Sequence, residues 1–311
     1  MSGRLLQWTP LAAALAWLLL DGPRLFLDDA QLVVEVLIVT FITRSVGLGN
    51  GLTALSWSIA IVAPLTVGIG WALAATGLEM TDGAGNGVLV PLVEETLKLG
   101  PVAGAAILAR RWRPFLLNAS DLLLLGVMSG AGFSMVESSY FDRVRTGVRY
   151  AAHIGPFNLL PTAWGEVGYV GHAAATGFVA VAIGLGLHLK RAYRVGWWWA
   201  LPATAFIWVA LEHSFANLYV NTGSDVLRML GRGRLTPWLF AIAAIAAIAI
   251  DAAGARATYT RSPALQRRSV LVAAYLARER REKRLPGWRQ LLAMIGHLRL
   301  MNLTACFARL S

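Results

Sequence analysis

In Pro91-Leu-Val-Glu-Glu-Thr-Leu-Lys98, two adjacent carboxylates and a lysine stand in a run otherwise apolar enough to cross a membrane. Stability in lipid gives no reason for them. An Asp, Lys or Arg at the centre of a spanning helix costs roughly 2.5–3.5 kcal/mol even on insertion-based scales, so ionisable groups there are read as functional. Three further apolar segments carry such groups: Glu137 in Phe133-Ser-Met-Val-Glu137, His172 in Gly171-His-Ala, and His213 in His213-Ser-Phe-Ala-Asn217. Glu94 and Lys98 are four residues apart, as are His213 and Asn217, so each pair shares a helix face. A lysine one turn below the glutamates can neutralise one of them and leave the other free for acid–base work. A carboxylate base, two imidazoles, a second carboxylate and a carboxamide suit water activation. A glutamate takes a proton from water while histidine and asparagine hold the developing oxyanion. The same set suits a zinc site, with His172, His213 and Glu137 as ligands and Glu94 or Glu95 as base.

The rest of the chain must hold these groups in one place, and composition indicates the medium. Of 311 residues, 57% are hydrophobic and 14% charged, and the mean hydropathy is +0.58. A soluble domain of this length has too little interior for that much apolar surface, which implies an all-α, polytopic membrane bundle. The formal charge of +11 comes almost wholly from arginine. In a membrane protein that excess marks cytoplasmic loops rather than nucleic-acid binding. Cys306 is the single cysteine, which excludes a disulfide framework and any CxxC zinc or redox site. Leu11–Leu20 is apolar, but Asp21-Gly-Pro-Arg24 makes a poor cleavage site, so this segment is expected as a retained span.

A span takes about 20 mainly apolar residues. Eight are expected, over 5–20, 30–46, 54–78, 88–109, 119–141, 166–189, 197–220 and 236–254, with Glu35 and Arg44 interrupting the second. Residues 1–255 then form one transmembrane helical domain and 256–311 a basic tail. Arg4, Arg44, Arg110-Arg111-Trp-Arg113, Lys190-Arg191 and Arg194 fall on one side, which puts both termini in the cytoplasm and the chain in the cell membrane. Arginines in 142–165 and 221–235 run against that pattern. At about 1.5 Å per residue, Glu94 and Glu95 lie about 10 Å below the external start of their span, and His172 about 9 Å below that of its own. Glu137 falls about 6 Å from the external end of the fifth span, and His213 about 6 Å short of the far side in the seventh. Segments running alternately up and down thus bring their polar groups to one level, in the outer half of the bilayer. Gly100/Gly104 and Gly126/Gly130 are small pairs four apart, of the kind that lets helix backbones approach closely.

Taken in order, these residues resemble a known superfamily, the PrsW-type and CAAX-protease-type intramembrane proteases. Its members carry a double glutamate followed shortly by a basic residue, then Phe-x-x-x-Glu, an isolated membrane histidine, and His-x-x-x-Asn or Asp. The matches are Glu94-Glu95-Thr-Leu-Lys98, Phe133 to Glu137, His172, and His213 to Asn217. Two residues between the acids and the lysine look more like the PrsW branch. The resemblance covers roughly 88–220 and leaves the tail uncovered. It implies a helical-bundle protease that hydrolyses a peptide bond within or beside the membrane. For the PrsW branch it implies a single-pass membrane-protein substrate, such as an anti-sigma factor, cut on its external side. The catalytic residues it implies are Glu94, Glu95, Glu137, His172, His213 and Asn217, with Lys98 and Phe133 in support. The superfamily's chemistry is described both as metalloprotease and as glutamate-activated water. This chain lacks His-Glu-x-x-His, the pattern that makes zinc a strong inference.

Other readings stay open. Pro91 as a first helical residue would make Glu94 and Glu95 ordinary first-turn acids, and a lone membrane histidine often serves a helix–helix hydrogen bond. His172 and His213 as axial ligands would make a haem-binding or redox protein, visible as a Soret band. Glu94, Glu95 and Glu137 as a relay would make an ion-coupled transporter, against which the lack of internal repeats counts. Glu35, Glu166 and Glu212 are read as interfacial or paired acids, and orienting a neighbour is one role open to Glu212. The tail carries twelve Lys/Arg against two Glu, interleaved with leucine and tryptophan. It is expected either on anionic lipid, at about 1 kcal/mol per basic residue near the surface, or solvated.

Overall fold

The computed structural model describes residues 24–77, 85–112, 117–144, 170–222, 233, 235–263 and scattered positions between 266 and 278. Every element among them is helical: α1 (Arg24–Val39), α2 (Leu48–Trp57), a π-helical turn (Ser58–Val62), α3 (Ala63–Ala75), a second π-helical turn (Gly85–Leu89), α4 (Val90–Lys98), α5 (Gly100–Trp112), α6 (Ala119–Val144), α7 (His172–Tyr193), α8 (Ala200–Thr222) and α9 (Thr236–Arg261). The all-α expectation holds for the described residues.

By length and composition, four described helical stretches can cross a membrane: Leu48–Ala75, Ala119–Glu137, His172–Tyr193 and Thr236–Arg261. They answer to the third, fifth, sixth and eighth expected spans. The remaining four differ for separate reasons. Residues 5–20 lie outside the described residues, as does most of the basic tail. The helix of the second stops at Val39, and the chain turns through Thr40–Thr43 before burying Arg44. The fourth is split: α4 ends at Lys98 and α5 starts at Gly100, because Pro101 has no N–H to carry the helical ladder across. The seventh is long enough, at 23 residues, but Glu212, His213 and Asn217 dilute its apolar character.

Helix α6 is the centre of the bundle, packed on α7, α2 and α1, with Leu122, Leu123, Leu124, Leu125, Val127 and Met128 fully buried. Lipid is as apolar as leucine, so helices associate in it by close packing and interhelical hydrogen bonds rather than by a hydrophobic drive. Gly126 and Gly130 supply the close packing. A Cβ on Gly130 would lie 2.7 Å from the Cα of Ala173 and nearer still to the His172 carbonyl, and one on Gly126 would lie 2.8 Å from the Thr176 carbonyl oxygen. At the other small pair, Gly100/Gly104, an added Cβ would meet no atom of the described residues within 4 Å, so they supply no packing partner there. Gly130→Ala is therefore expected to push α7 off α6 at the residue where α7 begins. Overpacking of this kind costs about 1–3 kcal/mol. Denaturant titration in detergent micelles should show that loss, and Gly104→Ala should show none.

The opposite end of α6 is tied down by two buried acids. Asp121 Oδ1 accepts the backbone N–H of Ser45 at 2.6 Å and of Val46 at 2.9 Å, while Oδ2 accepts the Ser45 hydroxyl and, at 2.9 Å, the Asn118 N–H. Asp251 of α9 accepts the Ser120 N–H at 2.8 Å. The first N–H groups of a helix have no partner within it and favour negative charge. This arrangement meets both needs and locks segment 43–46, α6 and α9 together.

Candidate active site

Helix α4 supplies the paired carboxylates. Pro91 stands near its start, as helix openers do, but the π-helical turn 85–89 runs into it through helical backbone at Leu89. Glu94 and Glu95 therefore lie beyond the first turn and are buried, unlike solvated first-turn acids. Consecutive helical residues diverge by about 100°, and the two acids meet different partners. Lys98 Nζ donates to Glu95 Oε1 at 2.6 Å and to His172 Nδ1 at 2.6 Å, and sits 5.0 Å from the centre of the Phe133 ring. Its side chain is 0% exposed. Of the two glutamates that the lysine could neutralise, it takes Glu95, three residues back, because Glu95 is the one turned toward α7.

These bonds dictate the state of both imidazoles. An ammonium only donates, so His172 Nδ1 accepts and its Nε2–H donates to Glu137 Oε2. His213 Nδ1 donates to the same Glu95 Oε1 at 2.9 Å, and its Nε2 lies 3.7 Å from Glu94 Oε2. That Glu94 oxygen has no hydrogen-bond partner among the described residues. The rings brace one another: Phe133 meets His172 edge-on at 5.1 Å between centroids, and His172 meets His213 in the same way at 5.1 Å. Val62 and Ala63, where the first π-helical turn joins α3, back the buried Phe133 together with Leu97 and Val136.

The backbone explains how His172 arrives there. Gly171 adopts φ +84°, a region only glycine enters freely, so the chain turns abruptly and α7 opens on His172 itself. The expected span had placed this histidine well inside the helix. It is instead the first helical residue, pressed onto Gly130.

Of the residues singled out in the sequence, Glu94, Glu95, Lys98, Phe133, Glu137, His172 and His213 converge from α4, α6, α7 and α8. Asn217 lies one turn beyond His213 on α8 and is half-buried. Its neighbour Leu218 closes on the second π-helical turn, where a Cβ on Gly87 would fall 2.7 Å from Leu218 Cγ. No protein-family model, curated protein or solved structure matches this chain. The site is therefore read on its own geometry.

One buried group could hold a metal ion: Glu94, His172 and His213 offer ligand atoms all within 4.8 Å of one another. Two imidazoles and a carboxylate are a recognised zinc donor set, but both His172 nitrogens are engaged here, by Lys98 and by Glu137, so a metal at His172 would have to displace one of them. The expected third ligand, Glu137, is corrected to Glu94. Glu137 is instead the hydrogen-bond partner of His172 Nε2.

Two contributors escaped the sequence reading. Ser129 Oγ donates to the Lys98 carbonyl at 2.7 Å and lies 3.3 Å from Ser58 Oγ. It satisfies backbone freed where α4 stops. Ser129, Phe133 and Glu137 are spaced by four, one stripe of α6, and that spacing was the available signal. Thr236, at the start of α9, bonds both oxygens of Glu212 at 2.8 Å. No local pattern announces it.

Proposed function

We propose that the chain is an eight-span intramembrane protease of the PrsW type, resident in the cell membrane with both termini cytoplasmic. It hydrolyses a peptide bond of a membrane-protein substrate near the external side. The observation that carries this reading is Glu94: a buried carboxylate oxygen with no hydrogen-bond partner among the described residues, 3.7 Å from His213 Nε2, beside a second glutamate already neutralised by lysine. That separation is too long for a direct bond. Two acceptors so placed grip both protons of one water and leave its oxygen free to attack.

The steps balance within this chain. As the water oxygen bonds to the peptide carbon, one O–H bond breaks and Glu94 takes the proton. Glu95, held by Lys98, keeps the His213 proton on Nδ1, so Nε2 accepts and does not donate. Stabilisation of the oxyanion then falls to a donor such as the Asn217 carboxamide. The C–N bond breaks, Glu94 returns its proton to the leaving amine, and the other product is a carboxylic acid. Comparing membrane proteins of cells with and without this chain, by mass spectrometry of enriched N-termini, should reveal new external or juxtamembrane termini only when it is present. Identical termini in both would end the proposal.

A second version of the chemistry is favoured by the Glu94, His172 and His213 group. Zinc held by those three residues would supply Lewis acidity and an acidified water. Cleavage by purified protein in proteoliposomes after dialysis against a chelator separates the two. Undiminished cleavage is expected for the glutamate mechanism; loss, with recovery on zinc addition, establishes the metal.

A further inference from the structure

Helix α8 carries two consecutive buried ionisable residues that face different neighbours. His213 turns toward α4, and Glu212, 0% exposed, turns toward the start of α9. There Thr236 Oγ1 donates to the Glu212 carboxylate, with 2.8 Å to each oxygen, and accepts the indole N–H of Trp208 at 2.8 Å. Trp208 and Glu212 are one turn apart on α8, so a single hydroxyl clips two successive turns of that helix to α9. Elsewhere α9 packs mainly on α7 and α6, and the outward face of α8 at Ile207 and Leu211 is exposed. The mechanism above makes no use of Glu212, yet nothing in lipid favours a buried carboxylate without a task.

We infer that Glu212 and Thr236 are a positioning pair: they set the rotation of α8 and thereby place His213 Nε2 against Glu94. This deepens the protease reading and rests on it for its activity readout. Side-chain tips lie roughly 6 Å from a helix axis, so a rotation of about 10° carries His213 by about 1 Å. A misplacement of that size in a reacting group costs up to about 100-fold in rate. Glu212 touches no reacting atom; it acts through its neighbour.

The deciding substitutions are Thr236→Val, which keeps shape and removes the hydroxyl, and Thr236→Ser, which keeps the hydroxyl. In proteoliposomes, Thr236→Val should lower kcat by about 10-fold or more with KM within about twofold, since geometry and not substrate binding is disturbed. Thr236→Ser should restore kcat to within about threefold of wild type. Glu212→Leu should match Thr236→Val, and the double variant should be no worse than either, as for two members of one unit. Ring-15N NMR of His213 in detergent micelles provides a readout independent of turnover. The Nδ1–H signature imposed by Glu95 should be lost or averaged in Thr236→Val and kept in Thr236→Ser. An inactive wild type with that NMR pattern would sink the protease reading and leave the positioning pair standing. Unchanged kcat, or an unchanged His213 signal in folded Thr236→Val and Glu212→Leu proteins, overturns the pair.

Discussion

Glu94→Gln is expected to lower the turnover of cleavage by about 10²–10⁴-fold, the usual contribution of a positioned general base, while leaving the fold intact. The amide cannot take a proton from water but fills the same space. Among the described residues Glu94 Oε2 has no hydrogen-bond partner to lose, and a neutral amide avoids the cost of burying an uncompensated charge. Unfolding midpoints at or above wild type should therefore accompany the loss of activity. The neighbouring Glu95→Gln makes the contrast. It strips the negative charge from a site that binds both Lys98 and His213, so its midpoint should fall. A Glu94→Gln protein that cleaves at a near-normal rate would remove Glu94 from the reaction and with it the ordering of roles proposed for the pair.

Lys98→Met should produce the largest loss of stability. The ammonium is fully buried, bonded to Glu95 and His172, and set against the Phe133 ring. Removing it leaves the Glu95 charge buried with no lysine beside it. Breaking a buried pair from one side costs about 3–5 kcal/mol. Equilibrium unfolding in mixed micelles measures this directly. The double variant Lys98→Met/Glu95→Gln should recover most of the stability and none of the activity, because His213 then loses the charged acceptor that fixes its tautomer. If Lys98→Met unfolds at the wild-type midpoint, the ion pair is not what holds α4 against α7.

Much of this site was legible in the chain because lipid makes polar residues conspicuous. Glu94, Glu95, Glu137, His172 and His213 each interrupt an apolar run, and rise per residue alone brought them to one level. What could not be read depended on rotation and on breaks. Whether Lys98 meets Glu94 or Glu95 turns on the difference between four residues and three, both of which lie on one helix face. The division of 88–109 into α4 and α5 was signalled by Gly100-Pro101, but hydropathy averages over such a break. His172 was placed inside a span by composition, whereas the positive φ of Gly171 makes it a first residue. Glu212 stood open between an interfacial and a paired acid, and its partner Thr236 is far along the chain and on another helix.

The break after Lys98 bears on how the proposed hydrolysis could proceed inside a permeability barrier. With the π-helical turn that runs into it, α4 carries the helix from Gly85 to Lys98, about 20 Å, short of a hydrocarbon layer about 30 Å thick. Interrupted backbone at such depth is tolerated where protein surrounds it or water reaches it, and Ser129 covers the freed Lys98 carbonyl from the protein side. Beyond it, Leu122, Leu123, Leu124 and Leu125 of α6 are fully buried, with Leu125 about 18 Å along the helix from Glu137. Hydration from one face can thus stop at the carboxylates, and vesicles bearing the active protein should hold a proton gradient as well as vesicles without it.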